Sequence, residues 1–226
     1  MKELLNRFTC GDAIEILDNI PSQTIDLVVT DPPYGDNTGY GRYKRTIQGN
    51  AHPLVGLTAL SMCYTLLKRN ACAYMFLDMK HVPITRLFFE QYTDFRIRDI
   101  LVWNKERIGM GYGFRKQHEL IIVLEKGKPV YRDLGMSNVL TIPRVNTQEH
   151  PHKKPVELIE KLIVQSSDVG DIVIDPFIGS GTTAIAACRL GRNFIGVEAD
   201  AAFAELATTN INKVMTSIEK CEIWNT

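Results

Sequence analysis

Apolar residues along this chain fall into short runs separated by turn residues, and the runs alternate between two periods. Residues 25–30 form a compact apolar run rich in β-branched side chains, behind the turn residues Pro21 and Ser22, and predict a buried strand. Residues 54–67 predict a helix, 71–77 a strand, and 82–90 a second helix with Pro83 in its first turn. Two further strands are expected at 98–103 and 119–124, with a glycine-rich basic loop, 105–116, between them. The last third is punctuated most sharply. Pro155 opens a helix whose Val156, Ile159, Leu162 and Ile163 share one face. A strand at 171–175 follows Gly170, then a tight loop at 176–181, a helix at 182–190 stopped by Gly191, and a strand at 193–198. Asp200 can cap a long, amphipathic final helix.

Strand, glycine loop, helix, strand and acid is the layout of a nucleotide-binding βαβ unit. The 226 residues, 45% of them hydrophobic, suit one α/β domain over 1–226. Lys and Arg number 26, as do Asp and Glu, so bulk charge points to no partner and a nucleic acid would have to be held by local patches. No apolar run is long enough to span a bilayer and the first residues lack the apolar stretch of a signal peptide, so a cytoplasmic protein with no membrane partner is expected. Cys10, Cys63, Cys72, Cys188 and Cys221 are scattered without a C-x-x-C pair, which argues against a disulfide framework and a zinc site.

In the loop after 171–175, Gly179 and Gly181 are expected to let backbone approach a ligand where a side chain would collide. Glu198 ends the next strand about 20 residues on, where an acid takes the hydroxyls of a ribose. No Gly-Lys-Ser/Thr follows and the full G-x-G-x-x-G spacing is missing. A cofactor with a ribose but no pyrophosphate fits better, and S-adenosylmethionine is one.

The strand at 25–30 ends in Asp31-Pro32-Pro33-Tyr34. This tetrapeptide resembles the catalytic signature of DNA methyltransferases that modify exocyclic amino groups; Asp in first place is typical of the N6-adenine enzymes, whereas N4-cytosine enzymes more often carry Ser. The chemistry accounts for the residue types. An exocyclic amine is a poor nucleophile because its lone pair is delocalised into the ring, and two acceptors aimed at its hydrogens free that pair. Asp31 supplies a carboxylate and Pro32 a carbonyl, and the prolines, Pro33 included, preset that carbonyl. Tyr34 offers a ring on which a flipped base can stack.

The tetrapeptide precedes the glycine loop, the reverse of a sequential dinucleotide-binding unit. This order resembles the beta class of amino-methyltransferases, and the likeness covers most of the chain: Gly11-Asp12, residues 25–35, Trp103-Asn104-Lys105, residues 150–155, the 175–183 loop and residues 192–198. The resemblance implies a Rossmann-like α/β fold with a mostly parallel, seven-stranded sheet and helices on both faces. It implies S-adenosylmethionine as cofactor, with no metal, and methyl transfer to N6 of adenine in double-stranded DNA by base flipping and direct displacement. Asp31, Pro32, Pro33 and Tyr34 would be catalytic. The cofactor would be held by Asp12, Asp31, Lys154, Pro155, Asp175, Pro176, Phe177, Gly179, Ser180, Gly181, Thr182, Thr183 and Glu198. His152 stands where the family often has a small hydroxyl residue, and there is no large target-recognition domain.

For DNA, the basic residues Arg42, Lys44 and Arg45, with Tyr40 and Tyr43, form one candidate patch in loop 36–50. Lys105, Arg107, Arg115 and Lys116 form a second in loop 104–117, and Arg132 and Arg144 mark a third within 127–150, a candidate recognition insertion. With so little recognition surface, the chain would either form a homodimer around a duplex or read a short site. His150 and His152 lack a third metal ligand at suitable spacing. The competing functions are an N4-cytosine methyltransferase, an enzyme acting on RNA or a glutamine amide, and a catalytically silent partner subunit.

Overall fold

The computed structural model describes residues 3–33, 54–109, 112–145 and 153–223. Its strands are β1 (Arg7–Cys10), β2 (Ile25–Thr30), β3 (Leu67–Leu77), β4 (Arg96–Asn104), β5 (His118–Lys126), β6 (Val139–Thr141), β7 (Ile172–Asp175) and β8 (Asn193–Glu198). The helices are α1 (Ala13–Asp18), α2 (Leu54–Leu66), α3 (Val82–Tyr92), α4 (Val156–Ser166), α5 (Thr182–Arg189) and α6 (Ala201–Ile223). The strands form one sheet in the order β1-β8-β7-β2-β3-β5-β4-β6. From β1 through β3 all pairings are parallel, β5 is antiparallel to both β3 and β4, and β6 lies parallel to β4.

Period-two alternation sends successive strand residues to opposite faces. Val28, Ala73, Met75, Ile122 and Ile174 pack with Leu17 of α1, Leu60 of α2 and Phe89 of α3. Leu27, Val29, Tyr74, Phe76, Ile121 and Val173 pack with Leu162 of α4, Ala186 of α5 and Ile211 of α6. Both faces are therefore covered, which is why the central strands read as unbroken apolar runs.

Among the described residues the sheet has eight strands where seven were expected. β1 has only half-buried or exposed residues, so it lacks an apolar signature, and it is defined by its pairing with β8. β6 is three residues long and buries Leu140 alone of them. β3 starts earlier than the sequence suggests, because Leu67 pairs with Ile25 ahead of the exposed residues 68–70.

Two consequences position the site. β2 and β7 are neighbours, with Leu27 opposite Val173 and Val28 opposite Ile174, so the tetrapeptide and the glycine loop leave the sheet side by side. The antiparallel β5 begins at the edge where β2, β3, β7 and β8 end, and so brings its first residues to that edge.

Candidate active site

Two prolines end β2 without donating backbone hydrogen bonds, and the structure packs them. Pro32 is buried, and with Pro33 it lines a small apolar recess beside Leu57, Met75, Leu77 and Thr85. Gly56 of α2 lies so close that a Cβ placed there would come within 2.5 Å of Pro32 Cβ. The helix thus braces the peptide that carries the proposed amine acceptor.

Asp31 keeps part of its surface, with its side chain 28% exposed, and pairs with the Lys154 ammonium. Lys154, expected at the cofactor, also lies 3.3 Å from Glu119 Oε2 and rests over the Phe76 ring at 5.0 Å from its centroid. Glu119 Oε1 in turn takes Lys105 at 3.1 Å. Burial opposes the Lys154 charge, yet the Asp31 and Glu119 carboxylates hold its pKa above the ordinary lysine range. Burial likewise opposes ionised Glu119, and the Lys154 and Lys105 ammoniums outweigh it and keep its carboxyl below the usual range.

The glycine loop is held against α6 and β8. Gly179 and Gly181 have φ of 52° and 86°, a left-handed conformation that favours glycine. At Gly181 an added Cβ would meet Ala207 of α6 at 3.3 Å. Asn210 Nδ2 donates to the Ser180 carbonyl at 3.0 Å, and the Ile178 amide donates to the Val197 carbonyl at 2.9 Å. Ser180, Thr182 and Thr183 are buried, as is Pro176, whereas Phe177 is half-buried. Pro155 is buried at the head of α4.

Asp175 is engaged within the protein. Its Oδ1 accepts from Thr30 Oγ1 at 2.7 Å and from the Phe177 amide at 3.0 Å, and its Oδ2 accepts from Thr183 Oγ1 at 2.7 Å. Burial pushes its pKa up to about 6 in spite of these bonds. Glu198 accepts from the Gly179 amide at 2.9 Å and from the Asp200 amide at 3.0 Å, and burial raises its pKa. Each of its oxygens keeps acceptor capacity for a further donor. Asp12, two residues past Cys10, which lies opposite Glu198 in the β1–β8 pair, caps α1 by accepting from the Ile14 amide at 2.7 Å.

Of the expected DNA contacts, Lys105 is largely buried on Glu119 and lies over Trp103, and Lys116 pairs with Asp78 at 2.6 Å. Arg115 Nε donates to the Gly109 carbonyl at 2.7 Å, and Arg107 is exposed. The same loop projects Tyr112 and Phe114 fully into solvent. Arg132 is tied to Asp168 at 2.6 Å. Tyr34, Tyr40, Arg42, Tyr43, Lys44, Arg45, His150 and His152, with loop 36–50, lie outside the described residues. Among the described residues no cluster of three or more His, Cys, Asp or Glu could hold a metal ion, and no helix is long and apolar enough to cross a membrane.

Glu119, Thr30 and Gly56 were missed as site residues by sequence reasoning. Glu119 sits at the head of a strand run, Thr30 is the last residue of one, and Gly56 is a glycine inside a helix. The last is a signal that backbone or a side chain comes close.

Comparison with known proteins agrees with this geometry. Residues 25–209 match the N6/N4 methyltransferase family model, described as "DNA methylase". The chain is 28% identical to the type II methyltransferase M.HpaI of Haemophilus parainfluenzae, over 96% of this chain and 77% of that one. It is 25% identical to the DNA adenine methyltransferase YhdJ of Escherichia coli (strain K12), over 89% of this chain and 81% of that one. Its fold is that of the M1.HpyAVI–SAM complex (TM-score 0.70, 24% identity, 90% of this chain and 98% of that one). The cytosine-N4-specific PvuII DNA methyltransferase also shares it (TM-score 0.71, 20% identity, 89% and 84%). A mostly parallel sheet with Asp31 and the glycine loop side by side at its edge, together with a family match over residues 25–209, makes this chain a member of the N6-adenine/N4-cytosine family of DNA methyltransferases.

Proposed function

We propose that this protein transfers a methyl group from S-adenosylmethionine to the N6 amine of adenine in double-stranded DNA. The observation that carries the reading is the adjacency of β2 and β7, which sets a partly exposed carboxylate, Asp31, beside a glycine turn and Glu198. The residues present fit the cofactor: Glu198 keeps acceptor capacity for two ribose hydroxyls, and the turn at 179–181 brings backbone to the strand ends without Cβ atoms at its two glycines. S-adenosylmethionine, when bound, supplies a methyl group on a cationic sulfur that departs with the bonding electron pair as an attacking nitrogen takes the methyl.

The chain's own residues do the rest. Asp31 accepts one hydrogen of the amine and the Pro32 carbonyl accepts the other, which frees the nitrogen lone pair. The surplus proton of the methylated amine leaves through Asp31 to solvent. Both acceptors are fixed before the base arrives, Pro32 by Gly56 and Asp31 by Lys154, which is the preorganisation this chemistry requires. An adenine inside a duplex must be extruded to reach them. Arg107 and the exposed Tyr112 and Phe114 stand on a loop suited to phosphate contact and stacking.

Adenine is favoured by Asp in the first place of the tetrapeptide and by similarity to an adenine methyltransferase at 25% identity. The test is incubation with labelled S-adenosylmethionine and duplex DNA from a methylation-free host, followed by mass spectrometry of the nucleosides. N6-methyladenine is the expected product. N4-methylcytosine would keep the mechanism and overturn the base, and no methylated nucleoside would overturn the reading.

A further inference from the structure

Four charged side chains alternate in sign across the sheet edge: Asp31 after β2, Lys154 before α4, Glu119 in β5 and Lys105 after β4. Lys154 pairs with Asp31 and lies 3.3 Å from Glu119; Lys105 closes the row at 3.1 Å. The two lysine side chains are only 11% and 13% exposed, and each sits over an aromatic ring, Phe76 and Trp103. Ammonium groups this sheltered are poorly screened by solvent, and their placement depends on their carboxylate partners.

We infer that Glu119 is a positioning residue for methyl transfer, acting on Asp31 through Lys154; the inference rests on the reading that Asp31 engages the amine. A carboxylate held by a dedicated ammonium is a poorer acceptor, because the cation already draws on its charge. Glu119 draws the same ammonium from the other side, so Asp31 keeps negative charge to direct at the amine hydrogens. Glu119 also fixes the Lys154 Nζ between two anions, which orients the Asp31 carboxylate from one side. Lys105 balances the second carboxylate, so the row of four is electrically neutral. The device depends on the antiparallel direction of β5, which delivers Glu119 to the edge where the parallel strands end.

The test compares single-turnover methyl transfer to duplex DNA by the wild type, Glu119→Gln, Lys154→Met and the double variant. Cofactor and DNA affinities and unfolding midpoints are measured on the same preparations. Glu119→Gln is expected to slow transfer by about tenfold or more, with both affinities changed by less than about threefold. Added to Lys154→Met it is expected to cost nothing further, because residues acting as one unit are not additive. Transfer at the wild-type rate, full additivity with Lys154→Met, or a loss confined to DNA affinity would each overturn the inference. If Glu119→Gln does not fold, Glu119→Asp is used: it keeps the charge but draws it back from Lys154, and an unchanged rate in that variant overturns the inference. A wild type that transfers no methyl at all would instead overturn the reading on which the inference rests.

Discussion

Thr30 Oγ1 donates to Asp175 Oδ1 at 2.7 Å, joining residues 145 apart in the chain. Thr30 immediately precedes the tetrapeptide and Asp175 immediately precedes the glycine loop. The bond therefore fixes the two halves of the site to each other, and Thr183 and the Phe177 amide, on the same carboxylate, lock the loop to that anchor. Asp175 was expected to hold cofactor; in the structure both of its oxygens accept hydrogen bonds from within the protein.

Substitution of Asp175 separates holding the cofactor from holding the loop. Asp175→Ala leaves three donors around a buried gap and is expected to cost roughly 2–4 kcal/mol in urea unfolding. Asp175→Asn keeps an acceptor for Thr30 and Phe177 and is expected to cost less. Wild-type stability with lost cofactor affinity in Asp175→Ala would make Asp175 a ligand instead.

The same carboxyl sets a pH dependence. Its folded pKa of about 6 lies above the unfolded carboxylate value of about 3.9, so between the two the folded state binds the proton more tightly. The stability it contributes is complete below the unfolded value, declines as pH rises to about 6, and is flat beyond. Asp175→Asn has no such ionisation, so its stability relative to wild type should rise from pH 4 to pH 6 and then level off. A difference that is constant with pH would contradict the assignment.

Gly56→Ala should slow catalysis although Ala is the better helix former. The added Cβ would stand 2.5 Å from Pro32 Cβ and 3.0 Å from its Cγ, and neither a proline ring nor a helix backbone yields easily. Transfer is expected to fall about ten- to a hundredfold as the Pro32 carbonyl moves, with cofactor affinity within about threefold. The gain of about 1 kcal/mol that Ala ordinarily brings to a helix should not appear. Stabilisation at full activity would show that Pro32 tolerates the displacement.

Much of this architecture was legible in the chain. β2 and β8 have the bounds that the apolar runs gave, and α4 and α5 begin where Pro155 and the glycine loop place them. These elements are dense in apolar residues and are followed within two residues by Asp or Gly, so local physics decides them. β1 and β6 were not legible, because a four-residue strand with no buried residue and a three-residue strand with one carry no periodicity. The Lys154–Asp31 pair spans 123 residues, and Glu119 reaches it only because β5 runs against its neighbours. Strand direction and pairing order are properties of the assembled sheet, and spacing along the chain does not encode them.

Glu198→Gln should weaken S-adenosylmethionine binding by about ten- to a hundredfold, the worth of charge-assisted bonds to two hydroxyls. DNA binding without cofactor should be unaffected. Calorimetry checks both, and unchanged cofactor affinity would remove Glu198 from the ribose site.

Phe114→Ala should leave stability within about 0.5 kcal/mol of wild type, because the ring is fully exposed. Duplex affinity should fall by roughly tenfold if the ring stacks on a base or sugar. Equal affinity in a titration would exclude this loop tip from the DNA interface.

The central claim is a division of labour: the turn at 179–181 and Glu198 hold the cofactor, and Asp31 works on the amine. Its most direct test is Asp31→Ala, with cofactor affinity by calorimetry and methyl transfer to duplex DNA measured on one preparation. Transfer should fall by about a thousandfold or more while cofactor affinity stays within about threefold. Loss of cofactor binding in step with transfer would contradict the claim.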